Sequence, residues 1–387
     1  MKFTVKKVLS VVMSVVMAAT AVCALASCGG TKGYTANNTE FFIGATGPLT
    51  GDAASYGISV QKGAQIAINE INAAGGLNGI KFKFEIKDDK ATAADAGTGY
   101  DTLYEAGMQI SLGSVTSGSC KAFAAKAAQD NVFFMTPSAS EQAVIESGDN
   151  AFRVCFGDPD QGTLAAQQII KDGYTKVGAI YDSSSSYSVG IYDAFKAEMD
   201  KQGKAFTVQT FDAENNKDFS TQIEALKDCD VIFMPFYYTE AALVAKTASA
   251  KGCTAVLFGS DGFDGIAKQI TAEDKVTNKI MYITPFDAES TDATVSKFVN
   301  AYKAANNGEV PDQFAADAYD AVMAIYNAMK VADVKDVTIS ASDLSDIVKA
   351  AITASSFTYT GATGKMTWDA SGACDKAPQI VELNTKA

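Results

Sequence analysis

The 387-residue sequence contains no histidine, which removes the side chain most used as a general base and as a metal ligand. A Ser–His–Asp triad cannot be assembled without it, and no Gly-x-Ser-x-Gly turn is present to expose a serine nucleophile. What remains is the chemistry of hydroxyls and carboxylates placed where apolar runs end. Ser117 follows the run 109–112 and Gly113. A hydroxyl there, with the N–H groups of a following helix start, can take an anion, and it can equally cap that helix. Asp261 lies in Gly259-Ser260-Asp261-Gly262, just past the run 256–258. Its carboxylate can accept a charge-assisted hydrogen bond from an ammonium or close an Asx-turn ahead of Gly262. Gly361-Ala362-Thr363-Gly364-Lys365 is not a phosphate loop, because two residues rather than four separate its glycines and no strand-to-helix context follows. It reads as a hairpin leading to Trp368. No metal and no cofactor are expected, and no residues are present to turn a ligand over, so the chain is read as a non-enzyme.

A different chemistry is written at the start of the chain. An apolar run over 8–24 follows Lys2, Lys6 and Lys7 and ends in Leu25-Ala26-Ser27-Cys28. A basic stretch, an apolar stretch and small residues ahead of a cysteine read as a lipoprotein signal over 1–27, with Cys28 carrying the lipid. The apolar run approaches the roughly 20 residues that span a bilayer. The residues around Cys28, including Gly29-Gly30-Thr31-Lys32-Gly33, read instead as a cleavage site and a flexible tether over 28–39. The expected location is the outer face of the cytoplasmic membrane or the periplasm. Removing 1–27, which holds three lysines and no acid, takes the net charge from -13 to -16. So acidic a body is repelled by nucleic acid and by anionic lipid headgroups, which leaves anchoring to the lipid. Of seven cysteines, Cys23 falls in the signal, and Cys120, Cys155, Cys229, Cys253 and Cys374 remain beyond Cys28. Their odd number and wide spacing do not make a disulfide framework. Buried thiols are expected, with Cys229 and Cys253 the one pair considered for a bridge.

The elements that must position these residues alternate. Short β-branched or aromatic runs at 41–44, 82–86, 109–112, 132–135, 177–181, 206–211, 231–234, 256–258 and 280–283 are separated by helical stretches such as 164–171, 191–201 and 241–251. That pattern predicts an α/β fold with parallel strands and crossover helices. The length and the number of strands favour two sheets in two lobes.

Gly47-Pro48-Leu49-Thr50-Gly51, Tyr56-Gly57, Glu70-Ile71-Asn72-Ala73-Ala74-Gly75-Gly76-Leu77-Asn78-Gly79 and Asp88-Asp89 follow one another near the start of the mature chain. Gly113-x-x-x-Ser117, Pro137-Ser138-Ala139-Ser140, Asp160-Gln161-Gly162, Lys217-Asp218-Phe219-Ser220, Gly259-Ser260-Asp261-Gly262 and Gly361-x-x-Gly364 before Trp368-Asp369 continue the series. Together they resemble the branched-chain amino-acid-binding (Leu/Ile/Val-binding) family of solute-binding proteins that serve ABC importers. The resemblance covers about 340 residues and implies a type I periplasmic-binding-protein fold, with two Rossmann-like lobes of parallel-sheet core joined by a multi-crossover hinge. It places Ser117, Ser138 and Ser140 on a ligand carboxylate and Asp261 on the ligand ammonium, where much of the family carries glutamate. It also puts Tyr56, Tyr187, Tyr237 and Phe314 on the pocket wall, although Phe314 can equally be a helix-face core residue.

The resulting expectation is a monomeric, lipid-anchored protein that captures an amino acid, branched-chain aliphatic in the favoured reading. Amides and aromatic acids are also bound within this fold family. Its partners would be a membrane permease and an ATPase on other chains. The competing expectation is a ligand-sensing module of a signalling system. The first lobe is expected over 40–158 plus 285–375, and the second over 159–284 plus 376–387.

Overall fold

The computed structural model describes residues 38–383. The signal over 1–27, Cys28 and the tether up to residue 37 lie outside the described residues.

The first sheet takes β1 (Phe41–Gly47), β2 (Phe82–Asp88), β3 (Ile110–Ser111), β4 (Phe134–Thr136) and β5 (Ala151–Arg153), all parallel, in the order β2-β1-β3-β4-β5. Every residue of β1 is buried, as expected of a strand covered on both faces. The cover on one side is α1 (Ala54–Ala73), and on the other α2 (Ala93–Glu105) and α3 (Ser117–Asp130), whose Tyr100, Leu103, Phe123 and Ala124 pack with Phe42 and Phe134. A short α4 (Gln142–Ile145) lies between β4 and β5.

After β5 the chain enters α5 (Asp158–Lys171) and builds a second sheet. Its strands and the helices between them are β6 (Val177–Asp182), α6 (Ser186–Lys201), β7 (Thr207–Phe211), α7 (Ser220–Leu226), β8 (Val231–Met234), α8 (Tyr238–Ala250), β9 (Val256–Gly259) and β10 (Ile280–Thr284) in chain order. The chain then returns to the first sheet as α9 (Ala293–Ala305), α10 (Gln313–Val331) and α11 (Ala341–Ile352), with α9 and α10 packed on α1 and α11 beside β3. The return continues as an antiparallel hairpin of β11 (Tyr359–Gly361) and β12 (Gly364–Met366), the turn expected ahead of Trp368. A last strand, β13 (Gln379–Glu382), pairs antiparallel with β10 and completes the second sheet in the order β13-β10-β9-β8-β6-β7. The α/β class and the two parallel-sheet cores are as expected. Three passages of the chain, after β5, after β10 and before β13, join them.

Two details go beyond the sequence reading. β5 was not among the expected strands, because three residues carry no readable alternation. Cys120, Cys155, Cys229, Cys253 and Cys374 are all free thiols, so Cys229 and Cys253 do not bridge. Helices α1 and α10 meet backbone to backbone at Gly63, where a Cβ would stand 1.9 Å from the Ala315 carbonyl oxygen. Only glycine permits that approach.

Candidate ligand-binding site

The fold brings Tyr56, Ser117, Ser138, Tyr187, Tyr237, Asp261 and Phe314 around one small cavity of about 10 Å³, room for about one water. All but Phe314 arrive from the carboxyl end of a strand or from the helix that follows it, where open α/β sheets hold ligands. Tyr56 is in the first turn of α1 after β1, Ser117 opens α3 after β3, and Ser138 follows β4. From the second sheet come Tyr187 in the first turn of α6, Tyr237 at the start of α8 and Asp261 after β9. Phe314 is in the first turn of α10. Ser140 is fully buried but does not line the cavity, and its hydroxyl has no hydrogen-bond partner.

Asp261 forms the acidic end. Its carboxylate Oδ1 accepts the Tyr187 hydroxyl proton at 2.5 Å. That proton being used, Tyr187 Oη in turn accepts from Ser260 Oγ at 2.7 Å and from the Gly262 N–H at 2.9 Å. The Asp261 backbone is clamped on both sides, its N–H donating to Gln161 Oε1 at 2.9 Å and its carbonyl accepting from Gln313 Nε2 at 2.6 Å. Burial is the main force on the carboxyl and pushes its pKa to about 6. Nothing in the sequence marks Gln161 and Gln313 as site residues, because glutamine is usually a surface residue.

A second buried acid lies near Asp261. Asp158, at the head of α5, is buried, and neither carboxylate oxygen is in hydrogen-bond geometry, although the Ser140 hydroxyl is close enough to offset part of the cost of burial. Burial, with the nearby charge of Asp261, pushes its pKa well above the ordinary value. Its only signal in the sequence was adjacency to Asp160-Gln161-Gly162.

Ser117, also at the cavity, is the first residue of α3, not its cap, and Thr116 provides no side-chain cap either. Val115, Thr116 and Ser117 line the cavity, so the first-turn N–H groups, which lack intrahelical acceptors, stand at its edge. Ser117 Oγ accepts the Glu141 N–H at 3.4 Å, which leaves its own proton free to donate. The Ser138 hydroxyl instead donates to the Val115 carbonyl at 2.8 Å.

Aromatic rings close the remaining wall. Tyr56 lies 4.2 Å from Phe314, 5.3 Å from Tyr237 and 4.9 Å from Tyr238 between ring centroids, and Tyr187 stacks on Tyr237 at 5.0 Å. Such pairs contribute about 0.5–1.5 kcal/mol each beyond the area they bury. Tyr56 also ties the two sheets together: its hydroxyl donates to the Gly262 carbonyl at 2.5 Å and accepts the Tyr238 N–H at 3.2 Å. Nearby, Ser186 Oγ donates to Glu141 Oε2 at 2.7 Å. The two halves are therefore in contact around the cavity.

Hydroxyl and N–H donors, a carboxylate and an aromatic wall match the chemistry of a small zwitterion, and because the cavity as it stands has room for about one water, such a ligand enters only when its wall opens. Among the described residues no group of three or more His, Cys, Asp or Glu is placed to hold a metal ion, and no helix is long and apolar enough to cross a membrane. The family model described as periplasmic binding protein matches residues 40–385. The chain belongs to that family. Its members are extracytoplasmic solute-binding proteins and not enzymes. The chain is similar to the Leu/Ile/Val-binding protein BraC3 of Rhizobium johnstonii, 31% identical over 228 residues, which are 58% of this chain and 62% of that one. The match thus spans less than two thirds of that relative. The leucine-, isoleucine-, valine-, threonine- and alanine-binding protein of Pseudomonas aeruginosa is 29% identical over 299 residues, 76% of this chain and 79% of the relative. Among solved structures, the branched-chain amino acid transporter substrate-binding protein LivJ of Streptococcus pneumoniae, in complex with isoleucine, is 29% identical with a TM-score of 0.75, covering 89% of this chain and 100% of that one. The two-lobed fold of this periplasmic binding protein is that of type I.

Proposed function

We infer that this periplasmic binding protein captures a free amino acid, branched-chain aliphatic in the favoured reading, and presents it to the permease of an ABC importer whose ATPase is on another chain. The observation that carries the reading is Asp261, a buried carboxylate that accepts the Tyr187 hydroxyl proton and has no cation paired with it among the described residues, facing the same cavity as Ser117 and the start of α3. An ammonium answers the carboxylate with a charge-assisted hydrogen bond, and the ligand carboxylate is taken by Ser117 and the α3 N–H groups. Ser138 and Ser140 shape the loop beside it. Tyr56, Tyr187, Tyr237 and Phe314 hold the side chain. The names of the relatives, which bind leucine, isoleucine and valine, support the ligand class.

The lobes are 40–158 with 285–375, and 159–284 with 376–387, closing over the ligand by rotation about the three passages between them. Cys28, ahead of its glycine-rich tether, carries the lipid that holds the protein at the outer face of the cytoplasmic membrane or in the periplasm, and the protein acts as a monomer.

Mass spectrometry of the small molecule that co-purifies with the protein, followed by calorimetry with leucine, isoleucine and valine, tests the reading. Binding of at least one of them is expected. A co-purifying ligand without an amine, together with no heat from any of the three, overturns it. For the anchor, Cys28→Ala should abolish incorporation of a labelled fatty acid, and label persisting on that variant would refute lipidation at Cys28.

A further inference from the structure

The chain contains 31 lysines and a single arginine, Arg153. That arginine ends β5 and is only 4% exposed. Its guanidinium donates from Nη1 to the Ser140 carbonyl at 2.8 Å and from Nη2 to Gln142 Oε1 at 3.2 Å, while Nε has no partner. Among the described residues it forms no ion pair. Its backbone is held from the other side, because the only tryptophan, Trp368, donates Nε1–H to the Arg153 carbonyl at 2.8 Å. The room beside it is left by Gly157, where a Cβ would come within 2.5 Å of Nη2.

A buried cation with no ion-pair partner in contact is costly, and a chain that uses lysine everywhere else has the forked, always-charged side chain here. What the fork holds explains why. In a trans peptide the C=O and the following N–H point in opposite directions. Gripping the Ser140 carbonyl therefore turns the Glu141 N–H away from Arg153, and that N–H donates to Ser117 Oγ at 3.4 Å. With one lone pair so engaged, the Ser117 hydroxyl keeps its own proton to donate, and Ser117 lines the cavity. Hydrogen bonds chained in a low-dielectric interior polarise one another, so the relay passes from Arg153 through the Ser140–Glu141 peptide to the Ser117 hydroxyl. Asp158 feels the Arg153 charge but leaves it unpaired.

We propose that Arg153 is a positioning residue for ligand capture: it aims the Ser117 hydroxyl at the ligand carboxylate through the Ser140–Glu141 peptide and supplies the buried positive charge that this carboxylate answers. The role rests on the amino-acid reading of the site.

Calorimetry with leucine, isoleucine and valine, and with leucinamide as a probe lacking the carboxylate, tests it on the purified protein and on Arg153→Gln, Arg153→Lys and Gln142→Ala. Arg153→Gln should bind the acids at least about tenfold more weakly and leucinamide within about threefold of the parent, so that the preference for acid over amide collapses. Arg153→Lys, which keeps the charge and loses the fork, should retain part of that preference. Equal losses for acid and amide, or no loss for either, overturn the proposal. If Arg153→Gln does not fold, Arg153→Lys and the exposed Gln142→Ala decide: both should lower acid affinity selectively by about threefold, and an unchanged acid-to-amide ratio in both overturns it. A parent protein that binds none of the three amino acids overturns the functional reading and this role with it. One that binds them, and loses acid and amide alike on substitution, overturns this role alone.

Discussion

At Asp261 the requirements of folding and binding oppose each other. Burial holds the folded, ligand-free carboxyl near a pKa of about 6, against an ordinary 3.8. A folded pKa raised above the unfolded one means that this group's contribution to stability is greatest at low pH and is lost as pH rises through about 6. Asp261→Asn, which keeps an acceptor for Tyr187, should therefore raise the melting temperature of the ligand-free protein at pH 7 and leave it little changed near pH 4. The same substitution should weaken amino-acid binding by more than about tenfold. A ligand ammonium selects the ionised carboxylate, so the wild-type affinity should be flat above pH 6 and fall by about tenfold per unit well below it. Titrations at pH 5 and 8 that give equal affinities would remove Asp261 from the ammonium. Asp261 was legible as a candidate because a glycine-flanked acid after a strand has a chemical use. Asp158, Gln161, Gln313 and Arg153 were not, since their types are usually exposed and only the fold reveals that they are buried.

At the scale of elements, the passage before β13 is fastened by a buried charge cluster. Lys376 donates to Asp317 Oδ1 at 2.6 Å and to Thr363 Oγ1 at 2.6 Å, and Asp320, one turn along α10, accepts the Ala362 and Thr363 N–H groups and the Thr363 hydroxyl. Burial works against the Lys376 ammonium, but the surrounding negative charge, Asp317 foremost, outweighs it and raises its pKa. Burial lifts Asp317 to about 6, so the pair is ionised at neutral pH. Lys376→Met strands Asp317 and should cost about 3–5 kcal/mol in urea denaturation, whereas Lys376→Met with Asp317→Leu should recover most of it. A single-variant loss under about 1 kcal/mol would show that the cluster does not fasten the passage. Gly63→Ala should cost about 1–3 kcal/mol by forcing α1 from α10. Because Tyr56 and Phe314 are carried by those two helices, ligand affinity should fall with it.

For the whole molecule, the Tyr56 to Gly262 and Ser186 to Glu141 bonds join the halves around the cavity. They are among the contacts that an opening motion must break, with the Gln313 to Asp261 and Thr239 to Asp52 bonds. Small-angle scattering should give a smaller radius of gyration with saturating ligand than without, and Tyr56→Phe, which loses a bond across the cleft, should widen that difference. An unchanged radius, with binding confirmed by calorimetry, would mean a preformed pocket without hinge closure.

The order of apolar runs along the chain determined the α/β class and the two parallel sheets, because the period of burial is written residue by residue and parallel strands must alternate with crossover helices. Ordered glycine, serine and acid motifs determined the family. Only the tertiary structure decided that β5 exists, that Ser140 stands off the cavity while Ser138 reaches it with its hydroxyl bonded to Val115, and that the single arginine faces the carbonyl side of their loop. Those facts depend on which segments far apart in sequence share a few ångströms of interior. The dielectric, the hydrogen-bond partners and the room available to a side chain are properties of that interior, and no local pattern in the sequence encodes them.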